Sequence, residues 1–394
     1  MTTTTGGSKG GGTTSAAVYR LVISIGAVVA ALAIGAIVLV LLDASPVDGY
    51  RAMFDGAFGS GDALIDTTLK AIPLLLVGAG ICVSFRAKVI NIGGEGQMIA
   101  GALASTAVAL QFPDVPRPLL LPTLLVVGLV GGGLLGSLAG YLKAYFQVNE
   151  ILSTIMLNLV MVQVMNYLLR GPMIDPAERE RGTGIPQTAR LSPNTDLPNL
   201  LPGTRLHFGV VIAVAVAIAT WVLLWRTPLG FRIRAVGQNR DAARYAGIGV
   251  ERAIVTALGI SGALAGLAGT MLVIGSESHR MVTDGSSTGF TGNAGFNGIV
   301  VALFGGLHPL LTIGASFLFG ALLVGANAMQ RAVQVPSALI VALNGLVVMF
   351  VVSSERLRQR LVTKVSGDLT RQTDPQPMPA DAPNEPKDDM ELVP

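Results

Sequence analysis

Long apolar runs alternate with short polar segments along most of the chain. Eight of the runs are clear candidates for membrane spans, since a hydrocarbon core of about 30 Å needs about 20 apolar residues whose backbone polar groups are all paired within the helix. Two further runs are shorter. We predict ten spans in all, at residues 21–42, 63–84, 98–112, 119–142, 151–169, 208–225, 253–274, 296–307, 310–329 and 337–352.

The composition agrees with an integral membrane protein. Of the 394 residues, 51% are hydrophobic and 13% are charged, and the mean hydropathy is +0.62. A soluble domain carries about 25% charged residues, so this chain lacks the charge for a water-facing surface. Cys82 is the single cysteine, which excludes a disulfide framework. The net charge of +3 does not suggest a nucleic-acid partner.

Lysine and arginine are distributed unequally between the two sets of loops. Because cytoplasmic loops carry the excess of these residues, the loop of residues 226–252, with its six arginines, is predicted to face the cytoplasm. Both termini then lie on that side as well. The predicted organisation is a disordered cytoplasmic tail (1–18), a transmembrane domain (19–355) with an extracytoplasmic loop (170–207), and a second disordered cytoplasmic tail (356–394).

Each short run follows a glycine-rich polar stretch, "NIGGEGQ" at 91–97 and "TGFTGNAGFNG" at 288–298. With five spans in each half, the two halves would cross the membrane in opposite directions. Short, glycine-interrupted segments at matching positions of two such halves indicate a transport site at broken helices near the midplane. The alternative is that glycine only permits close helix crossing. The candidate path residues are Asn91, Gly93, Gly94, Glu95, Gln97, Asn158, Phe296, Asn297 and Gly298.

The predicted spans contain few ionisable residues, which argues against a proton-driven or voltage-driven transporter. Asp66 and Lys70 lie one helical turn apart and can pair with each other. The remaining polar side chains in the spans are mostly neutral amides. They either form hydrogen bonds between helices or line a path for a neutral, hydroxyl-rich solute, and the residue types leave both readings open.

The sequence contains no motif for nucleotide hydrolysis or nucleophilic catalysis. A G-x-x-x-x-G-K-[S/T] phosphate loop is absent from it, so we do not expect the chain to bind ATP. His207, His279 and His308 are scattered through predicted loops and form no set with serine, cysteine or aspartate. We therefore predict that the chain is not an enzyme and carries no metal site or cofactor, and that the energy for transport comes from a partner.

One basic segment contains "DAARYAG" at 241–247, which reads acidic-Ala-Ala-x-x-x-Gly. It resembles the EAA loop with which ABC importer permeases dock on their ATP-binding subunit. We expect Asp241 to cap a short helix and Gly247 to end it. Ala242 and Ala243 would give a smooth docking face. The alternative is an ordinary basic inner loop. Arginines able to hold partner carboxylates are Arg232, Arg234, Arg240 and Arg244.

A wider resemblance rests on five stretches in unbroken order: "VINIGGEGQMIAGALAS", "VNEILSTIMLN", "GFRIRAVGQNRDAARYAGI", "ALAGLAG" and "GFNGIVVALFGGLHPL". Over roughly residues 60–355 the chain is similar to the permease family of branched-chain amino acid, ribose and nucleoside importers, most of all its nucleoside (basic membrane protein-type) branch. It departs from the family at Asn297, where an acidic residue is common, and in lacking the proline that usually ends the EAA motif.

The resemblance implies an all-α permease in the cell membrane that imports a small polar solute by means of ATP hydrolysis on a partner. The implied partners are a second permease chain of different sequence, a cytoplasmic subunit that binds ATP and Mg²⁺, and an extracytoplasmic substrate-binding lipoprotein. The implied ATPase-coupling residues are Gly237, Gln238, Asn239, Asp241, Ala242, Ala243, Arg244 and Gly247.

Nucleosides are the cargo that the family branch favours, and ribose-like sugars and branched-chain amino acids are the alternatives. Phe290 and Phe296, beside the second glycine-rich stretch, would either stack on a base or simply pack. A different class of protein, an ATP-independent secondary transporter or channel, would need no cytoplasmic docking helix. The basic segment therefore separates the two classes of hypothesis.

Overall fold

The computed structural model describes residues 29–30, 33–182, 184–334 and 345. Within this part of the chain the regular structure is helical, apart from two isolated β-bridges. In chain order the helices are α1 (Pro46–Phe58), α2 (Gly61–Arg86), α3 (Gly94–Gln111), α4 (Arg117–Phe146), α5 (Glu150–Arg170), α6 (Pro176–Arg181), α7 (Gly209–Arg226), α8 (Pro228–Gln238), α9 (Arg240–Tyr245), α10 (Val250–Ile274), α11 (Ser287–Thr291), α12 (Ala294–Phe304) and α13 (Pro309–Val333).

Six of these helices, α2, α4, α5, α7, α10 and α13, are long and apolar enough to cross a membrane. Each coincides with a predicted span, with ends that differ by a few residues. Residues 33–41 are also helical, within the first predicted span. Residues 21–28 and the predicted span 337–352, except Gly345, lie outside the described residues, as do both predicted tails. The chain is therefore a multi-pass helical protein, and the count of ten spans stays a prediction.

Helix α1 has no counterpart among the predicted spans. Ser45 caps it by accepting a hydrogen bond from the Asp48 N–H at 3.3 Å, and Pro46 occupies its first position. The helix packs on α13, where a Cβ on Gly56 would lie only 2.1 Å from the Cβ of Ala328. Charged residues along α1 interrupt the apolar pattern, which is why sequence analysis did not mark it.

The two short predicted spans begin earlier than the apolar pattern indicated. Helix α3 starts at Gly94 rather than at residue 98, inside the glycine-rich stretch, and α12 covers Ala294–Phe304 rather than 296–307. At about 1.5 Å per residue α12 is about 16 Å long, close to half of a membrane core. Both glycine-rich stretches therefore contain a helix start, as the broken-helix hypothesis requires.

Helices α2 and α10 form the centre of the bundle, since 78% and 83% of their most apolar 18-residue stretches are buried inside the protein. The corresponding values for α5 and α7 are 28% each, so these helices present most of their surface outward. Leu76, Ile81, Met98 and Leu258 are among the fully buried side chains of this core. This central pair of helices packs against α3 and α12, the two helices that start in the glycine-rich stretches.

Helices α4 and α10 approach closely along a row of glycines. A Cβ on Gly132 would lie 2.3 Å from the Gly262 carbonyl oxygen and 2.6 Å from the Gly266 Cα, and a Cβ on Gly136 would lie 2.4 Å from the Leu258 carbonyl oxygen. Real Cβ atoms do not approach other atoms this closely, so only glycine fits. Small residues at four-residue spacing allow such backbone contact between membrane helices, where burial against lipid supplies little driving force.

Packing partners correspond between the two parts of the chain. Helix α2 packs against α13 and α12, whereas α10 packs against α4 and α3. In each part the order is a long helix (α2 or α10), a helix that starts in a glycine-rich stretch (α3 or α12), and another long helix (α4 or α13). These contacts of α2 with α12 and α13 thus correspond to those of α10 with α3 and α4, with the roles of the two parts exchanged.

Candidate translocation and coupling sites

The starts of α3 and α12 meet in the interior. A Cβ on Gly94 would lie 3.1 Å from the Cα of Gly295, so the two backbones are in direct contact. Gly94 and Gly295 are both buried. We call this contact region the glycine junction. It brings together two stretches that are about two hundred residues apart in the sequence, and both helices point their free N–H groups towards it.

Glu95 joins the two helices across the glycine junction. Its Oε1 accepts a hydrogen bond from the Phe296 N–H at 3.2 Å, and its Oε2 accepts one from the Thr291 hydroxyl. The carboxylate thus lies in the first turn of α3 and also at the start of α12, where the positive ends of both helix dipoles favour a negative charge. Glu95 is only 1% exposed. No described Lys or Arg pairs with it, so helix ends and hydrogen bonds are its partners.

A second set of polar side chains holds the segment that leads into α3. The Asn91 amide donates to Gln97 Oε1 at 2.9 Å and to the Ser261 hydroxyl at 2.8 Å, and its Oδ1 accepts from the Gly93 N–H at 2.9 Å. Ser261 lies about 17 Å from the start of α10, a helix of about 38 Å, so this network is near mid-height of the bundle.

Asn158 on α5 completes this arrangement. Its Oδ1 accepts from the Gly96 N–H at 2.8 Å, and its Nδ2 donates to the Ile92 carbonyl at 2.9 Å. A Cβ on Gly96 would lie 2.8 Å from the same Oδ1, which explains why glycine stands there. One amide therefore satisfies one donor and one acceptor of the backbone where it enters the helix.

All the candidate path residues lie at or beside the glycine junction. Most of their polar atoms bond to one another, and Asn91, Glu95 and Gln97 are each about 1% exposed. Gly298 packs under α2, where a Cβ would lie 2.5 Å from Val77 Cγ1. Phe296 is 42% exposed, so its ring reaches the surface beside the junction. Close helix crossing and a polar region thus occur together at this site.

At the end of the bundle that holds the C-termini of α2 and α7, the basic segment forms α8 and α9. Asn239, not Asp241, caps α9, because its Oδ1 accepts from the N–H groups of Asp241 and Ala242 at 2.9 and 3.0 Å. The expectation that Asp241 is the cap was therefore wrong, since the cap lies two residues earlier; Asp241 lies in the first turn, where the dipole still favours its charge. Gly247 has φ +77° and follows the last turn, so it ends the helix as predicted.

The free face of α9 differs from the predicted one. Ala243 is 4% exposed and packs inward, so only Ala242 of the alanine pair faces outward. Tyr245 is 98% exposed and lies on the outer side of the same helix. Arg244 is held by Glu251, with 2.7 Å between its Nη2 and Oε1. Tyr245 was not among the predicted coupling residues, although an aromatic residue in a short polar helix is a signal for an interface.

Helix α8 is seated directly on the end of α2. A Cβ on Gly237 would lie 1.9 Å from the Arg86 carbonyl oxygen, so the two backbones touch. Arg234, one of the arginines predicted to hold partner carboxylates, instead lies 6.0 Å from the centre of the Trp225 ring. Gln238 is exposed beside this contact. The segment is therefore a rigid extension of the central helices.

The opposite end of the bundle contains a cavity of about 690 Å³ that sequence analysis did not predict. Arg205 crosses it, 2.8 Å from Asp66 Oδ1 and 3.2 Å from Glu277 Oε1, and Asp66 raises the pKa of Arg205 above its usual value. The sequence suggested that Asp66 pairs with Lys70, but it pairs with Arg205 instead. The reason is that the loop before α7 folds back over the start of α2. Nothing in the local sequence around residue 205 marks this contact.

Comparison with known proteins assigns the chain to a group. The model of the family described as branched-chain amino acid transport system / permease component matches residues 63–352. The chain is 35% identical to the guanosine ABC transporter permease protein NupP of Bacillus subtilis, over 86% of this chain and 95% of the relative. It is 35% identical to the glucose ABC transporter permease protein TsgB13 of Haloferax volcanii, over 83% and 86%. It is 30% identical to the nucleoside ABC transporter permease protein NupB of Lactococcus lactis, over 79% and 85%.

Proposed function

The chain belongs to the branched-chain amino acid transport system / permease component family, and from that premise we propose that it is the membrane-spanning subunit of an ATP-driven importer whose cargo is nucleosides. As an ABC transporter permease subunit the chain is not itself an enzyme. ATP hydrolysis occurs on a separate subunit, which would bind the ATP and Mg²⁺. The further partners would be a second permease chain and an extracytoplasmic lipoprotein that delivers the solute.

The exposed helix α9 is the observation that carries the coupling role. Tyr245 and Ala242 project from a short helix whose inner side is fixed by Ala243. Through α8, seated on Arg86 by Gly237, this helix connects to α2 at the centre of the bundle. A partner that moves α9 would therefore move α2, which is how nucleotide-driven motion would reach the spans. The coupling residues proposed from the sequence lie in this helix or directly before and after it.

Tyr245→Ala tests this role because the side chain is almost fully exposed and its removal leaves the fold unchanged. An aromatic anchor at the centre of an interface contributes about 2 kcal/mol or more, so the ATP-binding subunit should be lost from the purified complex. The matched control is Tyr167→Ala, which removes a 71% exposed tyrosine near the C-terminal end of α5, away from α9. Retention of the ATP-binding subunit by Tyr245→Ala, or equal loss in the control, would contradict the coupling role.

The orientation follows from this role and from the positive charge of the segment. Helices α8 and α9 would lie in the cytoplasm, with both termini on the same side, and the 690 Å³ cavity would open outward. The exchange of packing partners between the two parts supports two inverted halves of five spans each. In that arrangement α3 would run from the midplane outward and α12 from the midplane inward.

The glycine junction would be the region where the cargo crosses. In the described arrangement its polar groups bond to one another, so passage would require the two helix starts to separate and expose backbone N–H groups and the Asn91, Glu95 and Gln97 side chains. The backbone N–H groups and the Asn91 and Gln97 amides are neutral donors and acceptors, which suit an uncharged, hydroxyl-rich solute, and the Glu95 carboxylate can accept hydrogen bonds from its hydroxyl groups. Asn297 and Phe296, next to the junction, are available to such a solute on the more exposed side of α12.

Nucleosides are favoured as the cargo because two of the relatives are named for guanosine or nucleosides. The glucose permease of Haloferax volcanii is as similar in identity, so a sugar is the second candidate. Uptake of labelled guanosine, uridine, glucose and leucine by cells with and without the gene decides between them. Loss of guanosine and uridine uptake alone supports the proposal, whereas loss of glucose uptake alone would replace it with the second candidate.

A further inference from the structure

The indole ring of Trp225, at the end of α7, is flanked by cationic and imidazole side chains. The guanidinium carbon of Arg86 lies 5.1 Å from the ring centre, and that of Arg234 lies 6.0 Å from it. The imidazole of His308 lies 4.9 Å away, between ring centres. One aromatic ring therefore brings together the end of α2, the middle of α8 and the residue before α13.

These cations border a cavity of about 450 Å³, which we call the Trp225 cavity. Lys88 and Gln238 also line it, so three positive side chains face one space, and no described Asp or Glu lines it. Positive groups held together repel one another unless an anion neutralises them. The Nε atoms of Arg86 and Arg234 are buried, and neither has a hydrogen-bond partner in the described part of the chain. The cavity thus has the donors and charge of an anion site.

The other walls of the Trp225 cavity are apolar. Phe85, Phe231 and Leu307 line it, and Phe231 is 59% exposed although it is a large hydrophobic side chain. The cavity lies where α2 and α7 end, the level at which lipid head groups meet a membrane-spanning bundle. A ligand with a phosphate at one end and an apolar body at the other would satisfy both kinds of wall.

We infer that the Trp225 cavity binds the phosphate group of an anionic phospholipid. The Arg86 Nη2 donates to the Leu307 carbonyl at 3.1 Å. The remaining Arg86 donors and the Arg234 guanidinium present planar donors that match phosphate oxygens, and Lys88 adds a point charge. Basic pockets at the ends of membrane helices are a recognised type of site for anionic head groups. The glycerol and the first acyl carbons would pack against Phe231. This site is separate from the glycine junction and from the free face of α9.

Thermal unfolding of the full-length protein in zwitterionic detergent tests the inference. Cardiolipin or phosphatidylglycerol should raise the melting temperature saturably, and phosphatidylcholine should not. Lys88→Gln alters an exposed position and leaves the Trp225 contacts intact, and it should weaken the apparent lipid affinity about fivefold. Arg234→Gln should weaken it at least as much. The matched control is Arg232→Gln, which removes an exposed charge two residues away on α8 that does not line the cavity.

Four results would overturn the lipid site. If Arg232→Gln weakens the response as much as Lys88→Gln, or if Lys88→Gln has no effect, the attraction is a general one to basic surface. If millimolar inorganic phosphate alone reproduces the whole shift, the ligand is a free anion. If no lipid shifts the melting temperature but the ATP-binding subunit does, and Lys88→Gln abolishes that shift, the cations serve a protein carboxylate. Should Arg234→Gln fail to fold, Lys88→Gln still decides.

Discussion

Asn158 uses both ends of its amide to hold the backbone that enters α3. Replacement by leucine would leave the Gly96 N–H and the Ile92 carbonyl without these partners, in an interior where each unpaired group costs about 1–3 kcal/mol. We therefore expect Asn158→Leu to lower the melting temperature clearly and to reduce transport. The measurement is thermal unfolding of the purified protein alongside an uptake assay.

Gln163→Leu on the same helix is the matched control for Asn158→Leu. Gln163 is exposed and forms no hydrogen bond with the described residues, so its replacement should leave the free energy of unfolding within about 0.5 kcal/mol of the wild-type value. A similar loss of stability in both variants would mean that α5 tolerates no apolar replacement in general. In that case the amide of Asn158 would have no special role at the glycine junction.

His207, which lines the 690 Å³ cavity, should make the stability of the protein depend on pH. Burial lowers the pKa of His207 below its usual value, and its Nδ1 accepts a hydrogen bond from the Gly209 N–H at 3.1 Å, which requires the neutral ring. The stabilisation is therefore complete above about pH 6.5 and is lost as the pH falls from there through the folded-state pKa. Arg205, Lys70 and Glu277 are among the charged side chains that line the same cavity.

His207→Asn separates this titration from the loss of a cap. The Asn Oδ1 can accept from the same N–H, but it does not titrate, so the variant should be less stable overall and should lose the part of the pH dependence below about pH 6.5. The melting temperatures of both proteins between pH 5 and pH 8 provide the measurement. Parallel curves for the two proteins would show that His207 contributes nothing to the acid sensitivity.

Contact between helices α4 and α10 depends on the absence of side chains at their crossing. Gly132→Ala would put a Cβ 2.3 Å from the Gly262 carbonyl oxygen, so the helices must separate and the protein should be strongly destabilised or fail to accumulate in membranes. Gly314→Ala is the control, because a Cβ at this exposed position of α13 has nothing within 4 Å. It should be neutral or stabilising by up to about 1 kcal/mol. Membrane yield and melting temperature check both.

The elements that the sequence predicted best are those governed by a local rule. Long apolar runs gave the six long helices to within a few residues, because lipid imposes length and apolarity on each segment separately. Helix α1 and the start of α3 were not predicted. Their residues are too polar or too rich in glycine to look like a span, and they become helical through contacts with α13 and with Asn158.

The candidate site shows the same division between local and distant information. Glycine-rich stretches marked both helix starts, and the assignment of their residues to a translocation path stays a prediction. The contact between Gly94 and Gly295, and the pairing of Asn91 with Ser261, join residues far apart in the sequence, and no local pattern specifies them. The cap of α9 was misassigned to Asp241 because Asn239 and Asp241 are both good caps and only the three-dimensional start of the helix distinguishes them.

At the scale of the whole molecule, the proposed orientation makes a prediction about accessibility. Cys82 is the single cysteine and is fully buried, so Cys82→Ala provides a background without reactive thiols. In intact cells, an impermeant maleimide should label Thr204→Cys, at the rim of the 690 Å³ cavity, and should not label Tyr245→Cys. Inverted membrane vesicles should give the opposite result. Labelling of Tyr245→Cys from outside would place α9 on the wrong side for an ATPase partner.

The seat of Gly237 on the carbonyl of Arg86 has a consequence for protein engineering. Two backbones that touch without an intervening side chain leave no slack to absorb a mismatch, so α8, α9 and the last turn of α2 behave as one mechanical part. A chimera that takes only residues 240–247 from a relative, in order to bind that relative's ATP-binding subunit, would have the docking helix without the backbone contact that supports it. Exchange of residues 86–88 together with 228–247 would keep that contact, so the chimera could transmit the motion of the ATP-binding subunit to α2.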